Sequence, residues 1–405
     1  MKKSNYILAL LLFCTGAVQS QSIVQYDDYL YTVSRQPAST RAEAMGYAGV
    51  TLEGSTQDAR MNPAGLVWMS QKLVTEYTAS SPIFIDSRSN YRFLGVAGML
   101  NKNIAIGAHQ YRSLIYRPIL GFDKNGRHIQ PNLMREANNL LTVAAKISNI
   151  LSVGINAGLF VNDIDQSGKF KSPLVDAGVL YMPATGWQGP RVKESRFRLG
   201  ISATNLLGSN TYYNIQDVKD TQAIAGVLRV GAALHHVWNA DNFVHGHTGM
   251  VPAQNRTLAL LFQLQYLKYM HTLPKGVAES EKILFHGYSA GVELEFLKLL
   301  YLRLGYRYEK RQGNNDMNSP VVNYPYLKGM TQGLGIKLPF YSLSRCHLPF
   351  EVAIDLAHQK PFQWVKPSLP YFYYRTTSVA VRLNWQLQRQ APVLKVVPAK
   401  TKPKG

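Results

Sequence analysis

The 405-residue chain carries a formal charge of +20, a surplus that points to anionic surroundings such as lipid headgroups, lipopolysaccharide or acidic partners. Nucleic acid is excluded as an expected partner, because the chain opens on an export leader and holds no concentrated basic motif. Beyond that leader one cysteine remains, Cys346, so no internal disulfide forms and the length must fill two or three ordinary domains or one large barrel.

The leader is residues 1–20. A basic "MKK" precedes the apolar "YILALLLFCTGAV" and a small-residue cut near Ser20, the arrangement of a secretory signal peptide. After it, no apolar run approaches the ~20 residues that a membrane helix needs. With 24 Tyr and 31 Gly in the chain, the remaining way to span a membrane is a closed barrel of strands, in which every backbone polar group finds a partner.

Residues 21–70 read as a plug segment entering the lumen, with a short helix lying under the barrel as the other reading. Its core, "RAEAMGYAGVTLEGSTQDARMNPAGL" from Arg41 to Leu66, is rich in Ala and Gly, which lets a chain pack closely against a barrel's inner wall. Asn62-Pro63 is a helix start, with Asn as cap and Pro at the first helical position.

Period-two alternation then runs through residues 71–387. In "LSVGINAGLFVN", Leu151, Val153, Ile155, Leu159 and Val161 share one face, and Ser152, Gly154, Asn156, Gly158 and Asn162 the other. "FRLGISATN", "RTLALLFQLQYL", "SAGVELEF" and "LYLRLGYRYE" repeat the pattern, which belongs to strands and not helices. Strand candidates begin near Leu73, Phe93, Ile104, Leu140, Leu151, Val175, Phe197, Leu228, Leu258, Tyr288, Leu300, Leu334, Phe350 and Val379. Many run to about ten residues, the length of tilted membrane strands. The joints "LNKN", "SNI" and "FLK" are short and the joints between them long, as outer-membrane barrels require. Residues 186–195 and 239–255 break this alternation, so a miscounted strand is expected there. The final strand ends on Trp385, like an assembly signal for outer-membrane insertion, and residues 388–405 form a basic, Pro-bearing tail with the composition of a disordered segment. The expected fold is all-β: a transmembrane antiparallel barrel of about fourteen strands with a short N-terminal helical plug.

Catalytic and metal motifs are weak. Gly287-Tyr288-Ser289-Ala290-Gly291 matches G-x-S-x-G, but strand alternation continues through it, whereas a nucleophile elbow needs a strand-to-helix turn. Asp163, Asp165, Ser167 and Gly168 have partial calcium-loop spacing without the terminal carboxylate, since Leu174 stands there. His245 and His247 have no third ligand near in sequence, Cys346-His347 is weaker still, and no phosphate-cradling loop appears. No enzyme activity, cofactor or metal is expected. Charges on the polar faces are Lys146, Arg198, Arg229, Arg303, Arg307, Lys337 and Arg382 against Asp176, Glu293, Glu295, Glu351 and Asp355. Opposite charges gathered in a lumen read as a salt-bridged interior, with a selectivity filter as the other reading.

The stretch "RAEAMGYAGV…QDARMNPAGL" resembles the N-terminal signature of the FadL superfamily of outer-membrane barrels, specifically its Bacteroidetes branch of PorV- and PorQ-like proteins of type IX secretion. Arg41, Ala42, Met45, Gly46, Ala48, Asp58, Asn62, Pro63 and Ala64 carry the match. "FRLGISATNLLGS" and "SAGVELEFLKLLYLRLGYRYEKRQGNN…QGLGIKL" are similar to later segments of the same branch. The resemblance implies a cell outer-membrane barrel without chemistry of its own. Its implied role is a PorV-like component of type IX secretion, with other secretion subunits, C-terminal signal domains of secreted proteins, and outer-membrane lipid and lipopolysaccharide as partners. The alternative is a FadL-like transporter of hydrophobic small molecules, against which the charged and small inward faces count.

Overall fold

The computed structural model describes residues 39–83, 89–117, 132–164, 168–185, 192–207, 210–215, 218–223, 226–239, 257–270, 284–312, 326–340, 350–359 and 375–385. The leader, the C-terminal tail, His245, His247, Asp165, Ser167, Cys346 and His347 lie outside them.

The chain begins with two short helices, α1 (Thr40–Ala44) and α2 (Thr56–Ala59), and a 3-10 helix over Pro63–Trp68. Seven strands follow: β1 (Leu73–Ile83), β2 (Ser89–Asn101), β3 (Ile104–Arg117), β4 (Asn132–Lys146), β5 (Leu151–Ile164), β6 (Gly168–Tyr181) and β7 (Val192–Thr204). A separate two-stranded hairpin comes next, β8 (Asn210–Ile215) and β9 (Val218–Ala223). The wall resumes with β10 (Gly226–Asn239), β11 (Thr257–Met270), β12 (Leu284–Phe296), β13 (Leu300–Gln312), β14 (Tyr326–Leu338), β15 (Phe350–Gln359) and β16 (Arg375–Trp385).

Fourteen strands close antiparallel into a barrel, with β1 sealing against β16 from Leu73↔Trp385 to Ile83↔Arg375. Closure removes both sheet edges, so each wall strand has a neighbour on either side. Every expected strand start lies in a different wall strand. Across the irregular joints at 186–195 and 239–255, β6 pairs with β7 and β10 pairs with β11 directly in the wall order. The element that alternation missed is the β8–β9 hairpin.

The pleat separates two environments. Outward positions such as Leu94, Ile106, Leu141, Val143, Ile155, Leu264, Leu304 and Met330 are exposed and apolar. Tyr77, Tyr288 and Tyr306 stand on the same outer surface, and Phe350 packs against Trp385 with ring centroids 5.8 Å apart at the end where β16 stops. An apolar belt edged by aromatic rings matches bilayer hydrocarbon between its two interfaces. Inward positions such as Ser152, Asn156, Asn162, Gln263, Thr331 and Ser378 are polar and buried.

The wall is uneven at one seam. β5 pairs with β6 along its whole length, from Leu151↔Tyr181 to Ile164↔Gly168. β6 pairs with β7 only from Ala177↔Ala203 to Tyr181↔Leu199. Beyond Thr204 the chain leaves the wall at Asn205, whose φ of 52° is left-handed and whose N–H donates to Asp176 Oδ1 at 2.9 Å. Leu206 N–H donates to Val175 O at 2.8 Å. Residues 168–176 of β6 thus extend past the end of β7, where the wall ladder steps down and β8 of the hairpin lies against β6.

Candidate functional site

Residues 39–69 cross the barrel interior and contact inward-facing side chains around most of the circumference. Such a segment has few regular hydrogen bonds of its own, and buried backbone groups left unpaired would cost several kcal/mol each in a dry interior. The inner wall supplies the partners. Gln265 Oε1 accepts from the N–H groups of Gly49 and Val50, both at 2.9 Å, and its Nε2 donates to Tyr47 O at 3.1 Å. Gln263 Nε2 donates to Ala48 O at 2.6 Å. Thr331 accepts from Gly46 N–H at 2.7 Å and donates to Ala44 O at 3.0 Å. Across the lumen, Asn156 donates to Ala59 O, Ser202 to Met61 O and Ser152 to Ala64 O. The polar faces of the strands are therefore complementary to a folded-in backbone.

Local sequence shapes the plug. Ser39 caps α1 by accepting from Ala42 N–H and donates to Asp58 Oδ1 at 2.6 Å. Ser55 caps α2. Asn62 caps the 3-10 helix, accepting from Ala64 N–H at 3.1 Å, with Pro63 at its start. The same amide donates to Val50 O at 2.7 Å inside the plug and to Val179 O at 3.1 Å on β6, so one side chain folds the segment and ties it to the wall. Each of the three helix N-termini is satisfied by one of these caps.

The matched motif residues have distinct places. Arg41 reaches β12, its Nε donating to Glu293 Oε2 at 2.9 Å and its Nη2 pairing with Oε1. Met45 is fully buried at the turn after α1, and Gly46 takes φ 70° there, a conformation that favours glycine. Asp58 and Ala64 are fully buried. Wall glycines make room for this turn. A Cβ at Gly305 would lie 2.6 Å from Met45 Cα and closer still to Gly46 N, and one at Gly291 would lie 2.5 Å from Met45 Cβ. These glycines were not among the expected site residues. Their signal was a Gly recurring on the polar face of successive strands.

The inward charges form a chain. Glu293 sits between Arg41 and Arg303, whose Nε donates to it at 2.6 Å, and Arg303 continues to Asp355. Arg382 pairs with Glu76, and Glu76 also accepts from Thr56 and from Ser55 Oγ at 3.1 Å and Gln57 N–H at 2.9 Å. Arg198 pairs with Glu53 at 2.7 Å, and Arg60 with Asp176 at 3.3 Å. Arg307 pairs with Glu309 and lies 4.1 Å from the Tyr47 ring centroid. Arg229 is buried on the inner face of β10, and Glu295 accepts from Thr257 Oγ1 at 3.5 Å. Lys146 stacks over Trp68 at 4.3 Å, and Lys337 pairs with Glu351 at 3.0 Å. Four of these pairs join plug to wall or fix its helices, so the charges serve docking at that level. Ser289 of the G-x-S-x-G match is buried within β12 between strand neighbours.

Toward the end where β6 stands tall, the inner wall changes character. Tyr91, Phe93, Tyr111 and Phe160 are buried there, with Phe93 and Tyr111 ring centroids 6.4 Å apart. Leu140 and Leu174 lie on the same inner wall, and Ser113, Glu136, Asn138, Asn162 and Ser172 are buried between them in the same rows.

Two plug carboxyls titrate unusually. Burial pushes Glu43 up to about 7, opposed by a hydrogen bond from Ser378 and by Arg307. Burial pushes Asp58 up to about 6, against Arg41, Arg382 and Ser39, with Glu76 reinforcing the rise. A released plug returns Glu43 to its ordinary 4.5, so the docked state binds the proton more tightly. Docking is then strongest below pH 4.5 and weakens as the pH rises through 7. Glu43→Gln, which keeps a neutral partner for Ser378, is expected to dock more tightly than wild type at pH 8 and to flatten this dependence. Protease sensitivity of residues 39–69 measured from pH 4 to 8 checks it.

No family model and no curated protein matches this chain. Among solved structures, it is similar to the CymD monoaromatic hydrocarbon channel, with 9% identity, TM-score 0.48, and coverage of 88% of this chain and 99% of that one. The Pseudomonas putida toluene transporter TodX aligns at 10% identity and TM-score 0.46 over 89% and 98% of the two chains. A Pseudomonas aeruginosa FadL homologue aligns at 10% and 0.47 over 91% and 100%. At such identity and TM-score the likeness carries no statement about function.

Proposed function

We propose that this protein is an outer-membrane channel for small hydrophobic molecules, of the FadL-like kind, closed below by its plug. The observation that carries this is the stepped seam. Above the plug, aromatic and aliphatic side chains interleaved with Ser, Asn and Glu136 line the inner wall on the β2–β6 side, and the β6–β7 pairing ends beside them. A small apolar molecule entering from the far end meets a lumen sealed by backbone and ion pairs, and the interrupted seam offers it a sideways route into the bilayer. Transfer from that seam into hydrocarbon keeps the molecule out of water, which is favourable by about 25 cal/mol per Å² of apolar surface. Four of the inward ion pairs dock the plug or fix its helices, and Glu136 of β4 is buried on the inner face beside the aromatic side chains.

Short joints "LNKN" and "FLK" put the start of β1 and the end of β16 on the periplasmic side by the usual rule for such barrels, and the stepped seam toward the outside. The rival reading, a PorV-like type IX secretion component, needs partner-binding loops, and the long outer connections lie outside the described residues.

The test is uptake. Purified barrel reconstituted in liposomes should accelerate partition of a small aromatic hydrocarbon into the bilayer. Replacing Phe160 and Leu174 with Asn should reduce that rate several-fold without changing heat-modifiable mobility. Equal rates in protein-free liposomes would refute the channel, and co-purification with secretion subunits or cargo would turn the assignment to the rival.

A further inference from the structure

On the outer surface, near the tall end of the wall, two arginines face one another. Arg92 of β2 and Arg112 of β3 are direct register partners. Their strand neighbours Tyr91, Phe93, Tyr111 and Ser113 are buried inside, so both arginines point outward, and both are exposed. Like charges placed directly across an antiparallel pair repel, with side-chain roots only about 5 Å apart. Among the described residues neither has an acidic partner. The neighbouring row differs: Arg135 of β4 has Asp163 of β5 at 3.8 Å.

The height of the pair matters. From Ile104 to Arg112 the strand climbs about 20 Å at ordinary rise and tilt, most of the ~25 Å apolar band. Below the pair on the same face stand Leu94, Val96 and Ile106, exposed and apolar, with Gln110 opposite Leu94 and donating to Asn139 at 2.6 Å. Two guanidiniums therefore sit at headgroup level above a surface that is apolar directly beneath Arg92 and polar at Gln110 beneath Arg112. A phosphate between them turns repulsion into charge-assisted, forked hydrogen bonds, and acyl chains attached to that phosphate lie along the leucine, valine and isoleucine side chains.

We propose that Arg92 and Arg112 clamp the phosphate of an acylated lipid of the outer leaflet against the barrel wall. The inference rests on the outer-membrane placement proposed above and is independent of transport. The apolar surface beneath Arg92 favours a lipid over a free anion.

The experiment is native mass spectrometry of the full chain in detergent, titrated with lipid A, with its phosphate-free counterpart and with inorganic phosphate. Wild type should retain lipid A at least tenfold more tightly than does Arg92→Gln/Arg112→Gln, and at least tenfold more tightly than it retains the phosphate-free lipid. Equal retention by the double variant, or equal binding of the phosphate-free lipid, would overturn the clamp. Displacement of lipid A by inorganic phosphate at similar concentration would also overturn it, marking a free-anion site. If the double variant does not fold, judged by heat-modifiable mobility, Arg112→Lys decides. It keeps the charge and loses the fork, so retention should fall several-fold, and unchanged retention would sink the proposal.

Discussion

Gly305→Leu is expected to expel the plug while leaving the wall closed. Gly305 pairs with Gly291 on one side and Thr331 on the other, and its missing side chain is the space that the Met45–Gly46 turn occupies. A Cβ there would meet Met45 Cα at 2.6 Å and the Gly46 backbone nitrogen closer still. Neither group can yield cheaply, because Gly46 N–H is held by Thr331 and Met45 is buried against Gly291. Overpacking typically costs 1–3 kcal/mol and occasionally more, and a leucine against fixed backbone belongs at the upper end. The wall itself keeps its hydrogen bonds, since a leucine fits a strand. Residues 39–69 should become protease-sensitive and single-channel conductance should rise, with heat-modifiable mobility unchanged. A protected plug and a silent bilayer in Gly305→Leu would show that the turn does not seat there.

Glu293→Ala is expected to have the second large effect. The carboxylate lies between Arg41 of the plug and Arg303 of the wall, and the latter two are left facing each other when it is removed. Breaking a buried pair by deleting one partner costs about 3–5 kcal/mol, because the remaining charge is stranded in a dry site. Arg303 retains Asp355, so the penalty falls on Arg41, which is only part-buried and completes its hydration by leaving the lumen. The first turn of the plug should detach. Arg41→Met with Glu293→Met should restore much of the docking, since replacing a whole buried pair by apolar side chains is often close to neutral. Cysteine labelling of Ala42→Cys in each background measures it. Equal labelling in wild type and Glu293→Ala would show that the pair is incidental.

The strands were legible because their signal is local. Alternation in "LSVGINAGLFVN" reports directly that one face meets lipid and the other does not, and Ile155 and Asn156 lie on opposite faces as that pattern requires. The cap and proline of Asn62-Pro63 were legible for the same reason. The β8–β9 hairpin was not, because "NTYYNI" and "VKDTQA" are largely polar on both faces and carry no apolar stripe to follow. The inward charges were recognised as a set, but their pairing was not. Arg41 and Glu293 are 252 residues apart, and no local rule selects that partner over Glu295, two positions along the same inner face.

What the sequence determined by itself was the alternation, the strand count and the small, capped segment ahead of them, all consequences of which side chains tolerate lipid and which backbone angles they permit. The tertiary structure alone decided that the small segment lies inside the lumen, that wall glycines and amides receive its backbone, and that the wall steps down after Thr204. Those outcomes depend on barrel closure, which brings β1 and β16 together and gives every inward side chain a common interior to fill.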